Sequence, residues 1–214
     1  IRDYKVTGVQ TCALPIYQGS HNLVYSGARA RDGRPVILRQ LRPELATPQL
    51  FTRHQKEYEL LRRITSDYVI EPIELIETED SPILITERPE GIPLAEYIRD
   101  SRPGLREAAK IAWLIARAIE DLHKFNVVHK DINPANIVYD PVTDDLKLID
   151  FGISAVLPPN NINPEVNRSI EGTLSYLSPE QAGRMNRCVD FRTDYYSLGV
   201  TLYELLTGVL PFTD

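Results

Sequence analysis

Between residues 129 and 180 polar residues recur in loops at fixed intervals, and no other feature of the chain restricts its fold as much. Residues 129–136 read HKDINPAN. This is a short loop, and Pro134 near its middle lets it aim Asp131 and Asn136 toward one point. An apolar strand follows at residues 146–150, LKLID, and runs into Asp150-Phe151-Gly152. The glycine permits a sharp backbone turn. Residues 172–180 then read GTLSYLSPE. Singly these are weak signals, because Asp and Asn are ordinary turn formers. Their order, with a hairpin's length between the first pair and Asp150, is the informative part.

Length and composition set wide limits. The 214 residues suffice for one substantial core or two small lobes. Apolar residues at 43% and charged residues at 25% are ordinary for a globular chain. The net charge of −6, from 24 basic and 30 acidic side chains, argues against a general nucleic-acid or anionic-membrane surface. It leaves room for a local basic pocket. No apolar run approaches the roughly 20 residues of a membrane helix, and no signal peptide opens the chain. Cys12 and Cys188 have no metal or redox spacing, so a reducing cytoplasm is the expected setting.

Along the chain, Leu23, Val24 and Tyr25 pair with residues 35–38 (PVIL) across a turn at Asp32-Gly33, which reads as a hairpin. Residues 51–64, FTRHQKEYELLRRI, read as a charged amphipathic helix. Strands are expected at 73–76 and 83–86, giving a small β-rich region. Over 105–125 the residues Ile111, Leu114, Ile115, Ala118, Ile119 and Leu122 form one helical stripe. Residues 136–139 and 146–149 flank Asp144-Asp145 as a second hairpin. Residues 157–171 read as a mobile surface loop, and 193–206 as a helix buried on most sides. The sequence stops straight after that helix, so more chain is expected beyond it.

Residues 6–16, VTGVQTCALPI, match the translation of a common sequencing adapter. Residues 1–16 are therefore expected to be non-native, and Cys12 is given no functional weight.

With HKDINPAN, Asp-Phe-Gly, GTLSYLSPE and DYYSLG at 194–199 in that order, residues 17–214 resemble a protein kinase catalytic domain. The GTxxYxxPE wording is nearer to Ser/Thr than to Tyr kinases. More narrowly, HKDINPANI with EGTLSYLSPEQAGRMNR is similar to the N-terminal kinase domain of large bacterial multidomain signalling proteins, cyanobacterial examples among them. In those an ATPase-like region, sensor domains and often a histidine kinase follow. The resemblance implies an α+β fold with two lobes, truncated at both ends. The small β-rich N-lobe spans 17–88 and the mostly helical C-lobe spans 89–214.

The resemblance also implies roles. Asp131 accepts the substrate hydroxyl proton, and Asn136 and Asp150 hold Mg²⁺ against the ATP phosphates. Asp194 ties back to the backbone of the loop at 129–136. Arg39 stands where the pattern V-A-I-K has its phosphate-steadying lysine, and the change is not conservative. Its expected partner is Glu57, with Glu59 as the rival. In the glycine-rich loop only Gly19 matches, with Tyr17 and Asn22 at the other glycine positions and Val24 beyond. Thr86 falls at the gatekeeper position, and Glu87, Arg88 and Pro89 at the hinge that meets adenine. Lys130 replaces an arginine, and Asn133 replaces a lysine that touches the transferred phosphate. Thr173 is the expected substrate-platform threonine and Ser169 a phosphosite. The implied activity is ATP-dependent phosphorylation of Ser/Thr hydroxyls on a protein substrate, within a larger signalling protein. Two alternatives stand beside it: a pseudokinase or nucleotide-binding regulatory module, and a small-molecule phosphotransferase. The Gly-Thr…Ser-Pro-Glu segment speaks against the last.

Overall fold

The computed structural model describes residues 9–18, 22–45, 47–78, 81–158, 171–185 and 187–212. These fall into two compact units. One comprises Ile1–Arg63 with Ile70–Pro89, the other Ile64–Val69 with Glu90–Asp214. The expected positions Gly19 and Ser169, and most of the loop at 157–171, lie outside the described residues.

The first unit is a five-stranded antiparallel sheet with one helix. The strands are β1 (Val9–Gln18), β2 (Asn22–Arg29), β3 (Pro35–Leu41), β4 (Pro72–Ile76) and β5 (Ile83–Glu87), in the order β1-β2-β3-β5-β4. The helix α1 (Pro48–Leu61) lies between β3 and β4 in sequence. Strand periodicity places alternate residues on one face. Val36 and Leu38 of β3 pack there with Ile83 and Ile85 of β5, and Tyr25, Ile73 and Ile76 close around them. The opposite parity of β3 carries Ile37 and Arg39.

The β2–β3 turn is made by Asp32, whose Oδ1 accepts from the Arg34 amide at 3.1 Å, and by Gly33 at φ +72°. The helix α1 starts three residues before the expected position. Thr47 supplies the cap, its hydroxyl accepting from the Leu50 amide, and Pro48 presets the first turn. It also stops earlier, at Leu61, where the Arg62 and Arg63 amides turn back to the Tyr58 and Leu60 carbonyls.

The second unit holds β6 (Ile92–Pro93), α2 (Leu94–Ser101), α3 (Leu105–Lys124), β7 (Val127–Val128), β8 (Ile137–Tyr139), β9 (Leu146–Leu148), β10 (Ala155–Val156) and α4 (Phe191–Thr207). The strands pair as β6-β8-β9 and β10-β7. The predicted stripe of α3 is the buried one, and Ile111, Ile115, Ile119 and Leu122 are fully buried. Each contributes about 1.5–3 kcal/mol of apolar burial. The expected β8–β9 hairpin forms, with Ile137 opposite Leu148.

Residues 64–69 join this unit through specific bonds. The Tyr68 carbonyl accepts from the Leu148 amide at 2.8 Å, and Ser66 donates to Asp121 at 2.8 Å. The short helix α2 was not expected; no side chain caps it, and it buries a short stripe of Leu94, Tyr97 and Ile98. The helix α4 is capped by Asp190 and ended by Gly208 at φ 74°. It is less enclosed than its composition suggested. Thr193, Asp194, Ser197, Val200, Thr201 and Leu205 are buried, whereas Tyr195, Tyr203 and Leu206 are exposed. Of these, Tyr195 meets His123 of α3 edge-on, with ring centroids 5.2 Å apart. Among the described residues no helix is long and apolar enough to cross a membrane.

Candidate active site

The loop at 129–136 is fixed from below by one carboxylate. Asp194, in the first turn of α4, is wholly buried. Its Oδ2 accepts from the His129 amide at 3.0 Å and its Oδ1 from the Lys130 amide at 2.9 Å. His123 Nε2 lies 2.9 Å from Oδ2. A buried carboxylate is tolerated only when its lone pairs are met. Here they are met by loop backbone, so the cost of burial is converted into loop position. Lys130 sits at φ 71°, outside the range most side chains favour. Its carbonyl accepts from Gln181 Nε2 at 2.8 Å.

Asp131 projects from the fixed loop. Its Oδ1 accepts from the Thr173 amide at 2.9 Å and from Asn133 Nδ2 at 3.1 Å. Its Oδ2 accepts from Asn136 Nδ2 at 2.8 Å, and the same nitrogen lies 3.0 Å from the Asp131 carbonyl. Asn136 ends a single 3-10 turn, Pro134–Asn136, that Asn133 caps through the Ala135 amide. With Asn136 Nδ2 committed, its Oδ1 is the atom left to act as a ligand.

Asp150 is brought beside Asn136 by the backbone. The Ile149 amide donates to the Asn136 carbonyl at 2.9 Å. Asp150 is exposed and left-handed at φ 61°, and its Oδ1 accepts from the Gly152 amide at 3.3 Å. Phe151 next to it is 1% exposed and meets the His129 ring edge-on, with centroids 4.6 Å apart. A left-handed aspartate followed by an anchored aromatic and a glycine is a shape that needs the surrounding fold to hold it.

The segment after Gly172 is also tied down. Gly172 has φ +113°, and a Cβ there would press on Leu177 and Ile153. Ser178 and Gln181 bond one another, Glu180 accepts from the Thr193 hydroxyl at 2.8 Å, and Ser197 donates to the Tyr176 carbonyl at 2.9 Å. Burial and the Glu204 carboxylate hold the Tyr176 phenol well above its ordinary pKa, hence protonated. Lys130 Nζ lies 3.7 Å from Glu171.

In the first unit Arg39 pairs with Glu57 of α1. Glu59 points to solvent and is not the partner. Val24 stands directly opposite Arg39 in the β2–β3 register, and Thr86 opposite Ile37. The Glu87 amide is spent on the Glu71 carbonyl at 2.9 Å, and the Arg88 amide on the Pro35 carbonyl at 3.2 Å. Pro89 has no amide hydrogen. At residues 87–89 the main chain therefore has no amide left to donate.

Among the described residues no cluster of three His, Cys, Asp or Glu side chains forms a ready metal cage. One carboxylate and one amide oxygen suit a hard ion that keeps waters and binds phosphate oxygens, as Mg²⁺ does. Sequence reasoning placed Asp131, Asn136, Asp150, Asp194 and Thr173. It missed His123 and Gln181, whose roles rest on partners 71 and 51 residues away.

Comparison with known proteins finds relatives along nearly the whole chain. The serine/threonine-protein kinase AfsK of Streptomyces griseus is 34% identical over 91% of this chain and 24% of its own length. A probable serine/threonine-protein kinase of Clostridium perfringens is 31% identical over 91% of this chain and 28% of its own. The serine/threonine-protein kinase PknB of Mycolicibacterium smegmatis is 30% identical, over 91% and 32%. The chain thus spans at most about a third of these relatives. The model of the protein kinase domain matches residues 15–214, nearly the whole chain, and on that match the chain belongs to the protein kinase domain family.

Proposed function

We propose that this chain is the catalytic domain of a bacterial protein kinase that transfers the γ-phosphate of ATP to Ser/Thr hydroxyls. The observation that carries this reading is the Asp131 carboxylate, held by Asn133, Asn136 and the Thr173 amide in one unit. Asp131 orients the substrate hydroxyl and receives its proton. Asn136 and Asp150 would hold Mg²⁺, which when bound neutralises charge on the phosphates. Arg39, anchored by Glu57, steadies the phosphates, with Val24 opposite it on the neighbouring strand, and Gly19 is read as the matching glycine of the glycine-rich motif. Thr86, Glu87 and Arg88 meet the adenine, where main-chain carbonyls suit its amino group. Positioning and charge neutralisation supply nearly all the catalysis.

The relatives are longer, and their printed names call them serine/threonine-protein kinases. The parent is read as a cytoplasmic signalling protein with further domains, and its protein substrate as a partner. Residues 1–16 are read as non-native, with the N-lobe at 17–88 and the C-lobe at 89–214. The family match begins at residue 15. A second reading, a nucleotide-binding regulatory module, draws on Arg39 in place of lysine. The full-length protein and its Asp131→Ala variant separate the two by transfer of radiolabelled phosphate to protein. Loss of about 10²–10⁴ in rate is expected for the variant. Equal signals from both would end the enzyme reading.

A further inference from the structure

Asn133 occupies the position at which the kinase pattern has a lysine reaching for the transferred phosphate. In this chain the residue is 2% exposed and fully engaged. Its Nδ2 lies 3.1 Å from Asp131 Oδ1, 3.1 Å from the Asp131 carbonyl and 3.2 Å from Thr173 Oγ1. Two amide hydrogens face three acceptors, so none remains for a ligand. Its Oδ1 is spent on the Ala135 amide at 2.9 Å.

The consequence falls on Asp131. A carboxylate offers about four acceptor positions, two on each oxygen. Oδ1 is filled by the Thr173 amide and Asn133 Nδ2, whereas Oδ2 takes Asn136 alone. One position is therefore open, and it is on Oδ2.

We infer that Asn133 is a positioning residue that closes Oδ1 of Asp131, so that Oδ2 alone receives the substrate hydroxyl. Through Thr173 it makes this presentation depend on the docked segment at 171–185. The inference rests on the kinase reading of Asp131 and assigns no phosphate contact to Asn133.

The test uses the full-length protein with Asn133→Ala, Asn133→Asp and Thr173→Val. Thr173 is exposed, so its substitution leaves packing intact. Amide hydrogen exchange at Thr173 is read first, because it does not require activity. Exchange is expected to speed by about 10- to 100-fold in Asn133→Ala, because the Asn133 bonds that hold the Asp131 carboxylate and the Thr173 hydroxyl in place for the Thr173 amide are lost. Exchange at Lys130, whose amide is held by Asp194, is expected to stay unchanged. In the phosphate-transfer assay kcat falls by about 10- to 100-fold while KM for ATP holds. Asn133→Asp falls further, since it sets two carboxylates face to face. Thr173→Val lowers kcat alone but adds little to Asn133→Ala, because the two share one contact.

Unchanged Thr173 exchange overturns the inference. So does a rise in KM for ATP with kcat held, which would give Asn133 to the phosphate. Additive effects of Asn133→Ala and Thr173→Val also overturn it. Should wild type and Asp131→Ala transfer phosphate equally, the kinase reading fails, and the exchange measurement still decides the contact.

Discussion

Arg39 of β3 and Glu57 of α1 form an ion pair in which the carboxylate is the deeper partner, 3% exposed against 14% for the guanidinium. Burial makes the pair asymmetric. Removing one partner of a buried pair costs about 3–5 kcal/mol, because the other is left without compensation. Arg39→Ala takes its counter-charge from the deeper group, whereas Glu57→Ala takes it from one with more access to water. Urea unfolding is expected to show the larger loss for Arg39→Ala. A larger loss for Glu57→Ala would contradict this account.

Asp194 is predicted to matter more for stability than any exposed acid. Replacing it with alanine orphans the His129 and Lys130 amides at once. Hydrogen bonds to a charged group contribute about 1.5–3 kcal/mol each. Asp194→Ala is expected to lose at least about 3 kcal/mol in chemical denaturation. Asn at this position keeps one acceptor and is expected to lose less. Wild-type stability in Asp194→Ala would show that the loop is held by something else.

Gly91 is predicted to resist even alanine. Its φ of +99° disfavours any side chain, and an added Cβ would land on the Tyr139 carbonyl. That neighbour is backbone within β8 and cannot swing aside. Gly91→Ala is expected to cost several kcal/mol, about 2 or more, whereas Gly199→Ala meets open space and is expected to be neutral or slightly stabilising. Thermal melts of the two variants side by side make the comparison.

The β2–β3 turn is predicted to be acid-sensitive. The Arg29 side chain, then the Arg34 amide, lower the pKa of Asp32 from 3.8 to about 2. A carboxyl depressed on folding adds stability above its unfolded value and loses it as pH falls through the folded one. The turn should therefore loosen between about pH 4 and pH 2. An NMR titration is expected to place Asp32 near 2, and Arg29→Ala to return it toward 3.8. Exchange of the Gly33 amide, which donates to the Arg29 carbonyl, reports the loosening directly. A midpoint near 3.8 in the unaltered chain would refute the prediction.

Much of the frame was legible because its signals are local. The stripe from Ile111 to Leu122 needs only helical spacing to be read, and the β2–β3 hairpin needs only Asp32-Gly33 between apolar runs. The same holds for the β8–β9 hairpin. The helix α2 was not read, since no side chain caps it and its stripe of Leu94, Tyr97 and Ile98 spans little more than one turn. The start of α1 was misread because the apolar pattern begins at Phe51, whereas the cap that sets the boundary is Thr47.

The motif around Asp131 shows the same division at the site. The sequence alone singled out Asp131, Asn136 and Asp150, which stand at spacings that two turns and a hairpin require. It also named Asn133 and Lys130 as departures. Only the tertiary structure decided what those departures do. Asn133 faces Thr173 from 40 residues away and Asp194 reaches the loop from 64. Such contacts depend on how strands and helices pack, which no local pattern encodes. A substitution that looked like a lost charge thereby became a filled acceptor position on Asp131. The reason is that hydrogen bonds in a buried loop are allotted by geometry, and geometry is a property of the folded chain.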